Sequence, residues 1–215
     1  MSTPVNSNFN DVAYNNNGDM MSVRESLHKS AMLLSDMASQ EEVTTSISDV
    51  CSLCSRTLIS GNKLMFAGNG GSASQAEHIA GEFVGRFLKE RRALPAMSLT
   101  GPSSSITAIA NDYGYENAIV RQVEAFGCIN DVLIVLSTSG ESKNLIKACE
   151  YAKGHSITTV ALVGERGPTL TNICDYTICV PSTSTPQIQE GHIVIGHIIA
   201  EKVESVMFGG SFHSA

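Results

Sequence analysis

The sequence predicts an α/β protein built on a doubly wound, five-stranded parallel sheet flanked by helices. Three observations carry that prediction. From residue 64 onward, short apolar runs rich in branched residues alternate with stretches of helical period. Those runs lack the polar alternation of a half-solvated sheet, as expected where helices cover both faces. Two of them end in Gly/Ser-rich turns that open a helix, in Lys63–Ser72 (KLMFAGNGGS) and Asp131–Gly140 (DVLIVLSTSG). In a sheet of this kind, ligands gather beyond the carboxyl ends of the strands.

Residues 1–20 hold six asparagines and no sustained apolar period, which predicts a disordered or loosely docked tail. Val23–Leu34 places Val23, Leu27, Ala31 and Leu34 at helical spacing, and Val43–Leu58 repeats the pattern with Ile47, Val50, Cys51, Cys54 and Leu58. Two helices ahead of the first strand are more than a cap requires and predict an oligomer interface. Strands are expected at Leu64–Ala67, Ala96–Leu99, Val132–Leu136, Thr158–Val163 and Tyr176–Val180. Helices are expected near Ser74–Phe87, Ser104–Asn111, Glu116–Phe126, Ser142–Ala152 and Ile188–Met207. One domain then spans 21–210, with the helical pair at 22–60 as its N-terminal part.

The formal net charge of −7, without a basic stripe, argues against a nucleic-acid or acidic-membrane surface. An anionic ligand must therefore be caught by local N–H groups and hydroxyls. No apolar run approaches the ~20 residues that span a bilayer, and the N-terminus lacks a signal-peptide pattern. A cytoplasmic protein is expected. The six cysteines sit in apolar contexts and read as small buried hydrophobes. Cys51 and Cys54 form a C-x-x-C, but no second ligand pair accompanies it.

The first loop, Gly68–Ser72, has neither the P-loop spacing nor a clean G-x-G-x-x-G. The second, Ser137–Ser142, carries four hydroxyls in six residues at a helix start. Capping needs one hydroxyl, so four favour phosphate coordination. In the helix after the first loop, His78 and Glu82 stand at i, i+4, about 40° apart around the axis. The last helix sets Gln189, Glu190, His192 and His197 among isoleucines, and polar groups there need partners. His197 lies roughly 80° from Gln189, roughly 20° from Glu190 and about 140° from His192. His192 and His197 therefore serve different surroundings, and phasing does not choose between Gln189 and Glu190 as the companion of His197.

Together these residues resemble the SIS (sugar isomerase) domain, and more narrowly the sedoheptulose 7-phosphate isomerase (phosphoheptose isomerase) family. The resemblance runs from about residue 22 to about 208. It rests on GNGGSAS at Gly68–Ser74, HIAGEF at His78–Phe83, ANDYG at Ala110–Gly114, LSTSG at Leu136–Gly140 and IQEGH at Ile188–His192. It implies aldose–ketose isomerisation of a phosphorylated seven-carbon sugar through an enediol, with Glu82 as base and His197 as partner acid/base. It further implies that Ser72, Ser137, Thr138, Ser139 and Ser142 hold the phosphate. Asn69, Asp112 and Gln189 would hold the hydroxyls, with Gly70, Gly71 and Asn111 completing the substrate contacts. Zinc, one per subunit, is implied on residues matching His78, Glu82, Gln189 and His197, in a homotetramer supplying heptose for cell-surface polysaccharide.

Two departures stand out: Glu141 where the family has Asn after T-S-G, and Pro186-Gln187 ahead of I-Q-E. A carboxylate beside a phosphate site repels it unless the side chain points outward. The alternative is a non-catalytic SIS protein that binds a phosphosugar or a replication-initiation partner. Glu82 favours the enzyme.

Overall fold

The structure, a computed structural model, describes residues 16–209. Its five strands are β1 (Leu64–Gly68), β2 (Ala96–Ser98), β3 (Val132–Ser137), β4 (Thr158–Gly164) and β5 (Tyr176–Val180). All neighbours pair in parallel, in the order β2-β1-β3-β4-β5, with Leu64 opposite both Ala96 and Val132. The eight α-helices among the described residues are α1 (Asn16–Ser39), α2 (Glu41–Ile59), α3 (Gly71–Val84), α4 (Ser103–Tyr113), α5 (Val120–Phe126), α6 (Lys143–Gly154), α7 (Pro168–Ile173) and α8 (Thr185–Phe208).

Every residue of β1 and β3 is buried, and the two-residue period sorts them between two cores. Leu64, Phe66, Val132, Ile134 and Leu136 pack with α1, α2, α3 and α8. Met65, Ala67, Leu133 and Val135 face α5, α6 and α7. From β1 the chain steps outward to β2, then returns and proceeds the other way through β3, β4 and β5. The switch point of the doubly wound sheet therefore lies between β1 and β3, and both Gly/Ser loops leave from it. At the opposite end, buried Asp131 ties the two strands: it accepts from the Lys63 backbone N–H at 2.9 Å, from Lys63 Nζ at 2.6 Å and from the Cys128 N–H at 2.7 Å.

The fold class and the five strands agree with the sequence expectation; several helices differ. Helix α1 begins at Asn16, inside the segment expected as a tail, while residues 1–15 lie outside the described residues. Helix α3 runs over Gly71–Val84, not Ser74–Phe87, because the chain turns away at Gly85, whose N–H closes on the Gly81 carbonyl at 2.8 Å. The expected helix Glu116–Phe126 is split: Gly114 (φ +86°) turns the chain into a 3₁₀ turn at Tyr115–Asn117 before α5 begins. Helix α7 was not expected. Helix α8 starts ahead of Ile188 because Pro186 occupies its first turn, where the missing N–H costs nothing.

All six cysteines are free. Cys51, Cys54 and Cys149 are buried as expected, Cys174 is half-buried, and Cys128 and Cys179 are exposed. Burial pushes the Cys51 thiol up to about 11 and the Cys54 thiol higher still. The C-x-x-C thiols stay protonated and are poor redox or metal ligands.

Candidate functional site

The site forms where β1 and β3 release their chains. After β1, Gly70 (φ +56°) leads into α3, whose N-terminus has no side-chain cap, and Ser72 is buried in its first turn. Helix N-terminal N–H groups without a cap favour an anion. After β3, the Ser137 hydroxyl accepts from the Gly140 N–H at 3.0 Å and lies 3.5 Å from the Ser142 hydroxyl. Ser139 accepts from the Glu141 N–H at 3.2 Å. Ser142 occupies the N-cap position of α6, yet its side chain makes no capping bond. Its hydroxyl is therefore not spent on the helix.

Thr138 and Ser139 line a cavity of about 210 Å³ with Glu141, Arg166, Ser182, Thr183, Thr185 and Ile188. The Glu141 carboxylate is turned onto the first turn of α7, accepting from the Thr169 N–H at 3.1 Å and the Thr169 hydroxyl at 2.6 Å. The departure at this position is thus anchored on another helix. Arg166, which the sequence did not single out, brings a cation to the same cavity.

Asn69 is held by neighbours that the sequence did not reveal. Its side-chain oxygen accepts from Tyr115 Oη at 2.7 Å and Asn144 Nδ2 at 2.9 Å, and its Nδ2 donates to Asn144 Oδ1 at 3.0 Å. Asn144 is buried in the first turn of α6, so this pair ties one Gly/Ser loop to the other. Asn111 and Asp112 are exposed near the end of α4, joined by a 2.8 Å hydrogen bond.

The titratable groups meet where α3 packs on α8. Nε2 of His78 lies 3.2 Å from Glu82 Oε1 and 3.0 Å from His197 Nε2. The Phe87 ring stacks on the His197 imidazole with centroids 5.5 Å apart. One ligand atom from each of His78, Glu82 and His197 falls within 4.8 Å of the others. A tetrahedral zinc ion with bonds of about 2.0–2.1 Å separates its ligands by roughly 3.3–3.4 Å. Two imidazoles and a carboxylate at these spacings fit such an ion.

Gln189 sits in the first turns of α8, its amide nitrogen 2.8 Å from where a Cβ on Gly71 would lie. Gln75 Nε2 donates to the Gln189 carbonyl at 2.7 Å. The amide thus lies against the start of α3, two turns before His78. His192 is fully buried, away from the trio, and neither ring nitrogen has a hydrogen-bond partner. Burial lowers its pKa from 6.5 to about 4. Among the described residues no helix is long and apolar enough to cross a membrane.

Comparison with known proteins agrees with this geometry. Residues 27–164 match the SIS domain family. The chain is 44% identical over 193 residues to the phosphoheptose isomerase of Burkholderia pseudomallei, covering 90% of this chain and 98% of that one. Phosphoheptose isomerase 2 of Campylobacter jejuni is 54% identical over 152 residues, 71% of this chain and 76% of that one. The structure of a phosphoheptose isomerase from Francisella tularensis superposes with a TM-score of 0.83 at 30% identity, covering 87% of this chain and 98% of that one.

Proposed function

Because this chain belongs to the phosphoheptose isomerase family of SIS-domain proteins, we propose that it interconverts sedoheptulose 7-phosphate and D-glycero-D-manno-heptose 7-phosphate. The observation that carries this reading is the meeting of Glu82 and His197, from two different helices, around His78 within hydrogen-bond reach. Aldose–ketose isomerisation needs a base for the proton beside the carbonyl and an acid for its oxygen. Glu82 takes the proton from the carbon next to the carbonyl while His197 protonates the carbonyl oxygen, giving the enediol. His197 then removes the proton of the neighbouring hydroxyl, and Glu82 returns its proton to the former carbonyl carbon. No proton is gained or lost overall.

Ser72, Ser137, Thr138, Ser139 and Ser142 hold the phosphate, with the Gly70 and Gly71 backbone at the start of α3. Asn69, Asn111, Asp112 and Gln189 address the sugar hydroxyls, and Asn69 does so with the amide hydrogen that Asn144 does not take. His78, Glu82, Gln189 and His197 would hold one zinc ion per subunit, which when bound polarises the carbonyl and steadies negative charge on oxygen. Glu82 cannot be a permanent zinc ligand and a free base at once, so the metal would be labile or would exchange one ligand with the substrate.

The domain comprises residues 21–210, and the protein works in the cytoplasm as a homotetramer supplying heptose for cell-surface polysaccharide. Support for assembly comes from an apolar groove of about 640 Å³ between α2 and α8, lined by Ile47, Ile59, Ile198 and Val206. Leu27 and Met32 of α1 are also about two-thirds exposed, at 66% and 64%.

The test is turnover of sedoheptulose 7-phosphate by purified protein, with and without added zinc, beside Glu82→Gln. Turnover by the parent chain, abolished in the variant while sugar-phosphate binding persists, is the expected result. A folded protein that binds the sugar phosphate without turning it over would replace this reading with the non-catalytic one.

A further inference from the structure

Glu204 and Arg91 form a fully buried ion pair outside the acid/base trio, with side chains 2% and 1% exposed. The Arg91 Nε donates to Glu204 Oε1 at 2.7 Å. Glu204 also accepts from the backbone N–H groups of Phe87 (2.8 Å), Leu88 (2.8 Å) and Lys89 (3.1 Å), the segment that follows α3. The other arm of Arg91 reaches the end of α3 itself. Its Nη2 donates to the Glu82 carbonyl at 2.6 Å, and its Nη1 donates to the carbonyls of Phe83 (2.9 Å) and Gly85 (3.1 Å).

We infer that Arg91 and Glu204 are positioning residues that set the distance between Glu82 and His197. Glu82 lies in the last turn of α3, where carbonyls lack intrahelical partners and the helix frays unless something caps it. The Arg91 guanidinium supplies that cap, and its charge suits the negative end of the helix. Glu204 stands seven residues after His197 on α8, two turns on and within about 20° of the same face. The same carboxylate holds the N–H of Phe87, whose ring packs on His197. One buried node thus fixes Glu82 through Arg91 and His197 through Phe87. A buried ion pair contributes little net stability against an apolar pair of equal volume. Its planar fork nevertheless holds directions that an apolar pair cannot.

This inference rests on the isomerase reading, and its test separates the two. The variants are Arg91→Lys, which keeps the charge but loses the fork, and Arg91→Met/Glu204→Leu, which replaces the pair with apolar volume. In both, kcat for sedoheptulose 7-phosphate should fall roughly 10- to 100-fold, as about 1 Å of misplacement does. KM should stay within about twofold, since one phosphate loop leads into α6 and the other lies at the opposite end of α3 from the carbonyls that Arg91 holds.

The deciding readout is the deuterium isotope effect on the abstracted proton, a ratio unaffected by the amount of active protein. It should rise in the variants as proton transfer becomes limiting. An unchanged isotope effect beside a lowered kcat means fewer active molecules, each with normal geometry, and overturns the inference. Unchanged kcat overturns it as well. If the parent chain does not turn over sedoheptulose 7-phosphate, the isomerase reading fails on that result alone. The ¹⁵N ring signals of His78 and His197 then decide whether the pair sets their geometry: displaced in folded Arg91→Lys supports it, unmoved refutes it.

Discussion

His192 offers a direct test of how the core of α8 is built. It is 0% exposed, and both ring nitrogens lack hydrogen-bond partners. Burial drives its pKa from 6.5 to about 4, and contact with the Val163 backbone opposes this without reaching hydrogen-bond geometry. A histidine depressed in the folded state binds its proton more weakly there than in the unfolded chain. Its contribution to stability is therefore intact above pH 6.5 and is lost as pH falls toward 4. Linkage over that interval gives a loss of about 2 kcal/mol at pH 5 and about 3 kcal/mol at pH 4. The lowered carboxyls of Asp175 and Glu204 contribute stability that is lost only once pH falls into the ordinary carboxylate range and below, so the window above it belongs to the histidine. His192→Leu fills similar volume and removes the titration. Urea unfolding at fixed protein concentration should show the parent losing about 2 kcal/mol more than this variant between pH 7.5 and 5. Parallel curves for the two proteins would refute the reasoning, since the remaining histidines are common to both.

Two further substitutions separate binding from folding. Ser142→Ala removes an N-cap residue, a change that usually costs about 1 kcal/mol. Because this hydroxyl makes no capping bond, thermal unfolding should move little, whereas KM for the sugar phosphate should rise roughly tenfold with one lost charged hydrogen bond. Gly71→Ala places a methyl 2.8 Å from the Gln189 amide nitrogen. Displacing that amide should weaken zinc binding, read by calorimetry, and raise KM severalfold. Unaltered values for both would show that Gln189 serves neither ligand.

The five strands were legible because buried parallel strands leave a local trace, short branched apolar runs punctuated by Gly and Ser. Helix α7 left none: six residues make fewer than two turns, and Pro168 was its only start signal. The true end of α3 was hidden for a different reason. The apolar period continues to Phe87, but the chain is pulled out of the helix by Arg91 and by Glu204, more than 110 positions away. Likewise, Tyr115 and Asn144 gave no sign of meeting Asn69, because the contact joins a loop, a 3₁₀ turn and a helix start that are far apart in sequence. His78 and Glu82 were readable as an i, i+4 pair. That His197 joins them depends on how α3 crosses α8, which no single-helix phase contains.

That crossing explains why binding and chemistry should respond to different substitutions. The phosphate loops are made by the path of the backbone at the strand ends, with hydroxyls in adjacent positions of the chain. The acid/base trio is made by side chains from two helices whose approach depends on packing, where Gly196 leaves room for the Ile79 side chain. A methyl at Gly196 would press directly on that isoleucine, next to His78 and His197, and overpacking of this kind typically costs about 1–3 kcal/mol. Changes in the loops should therefore appear mainly in KM. Changes along the α3–α8 seam, from Gly196 to the Arg91–Glu204 pair, should appear mainly in kcat, because they alter where the base meets the acid while leaving the phosphate in place.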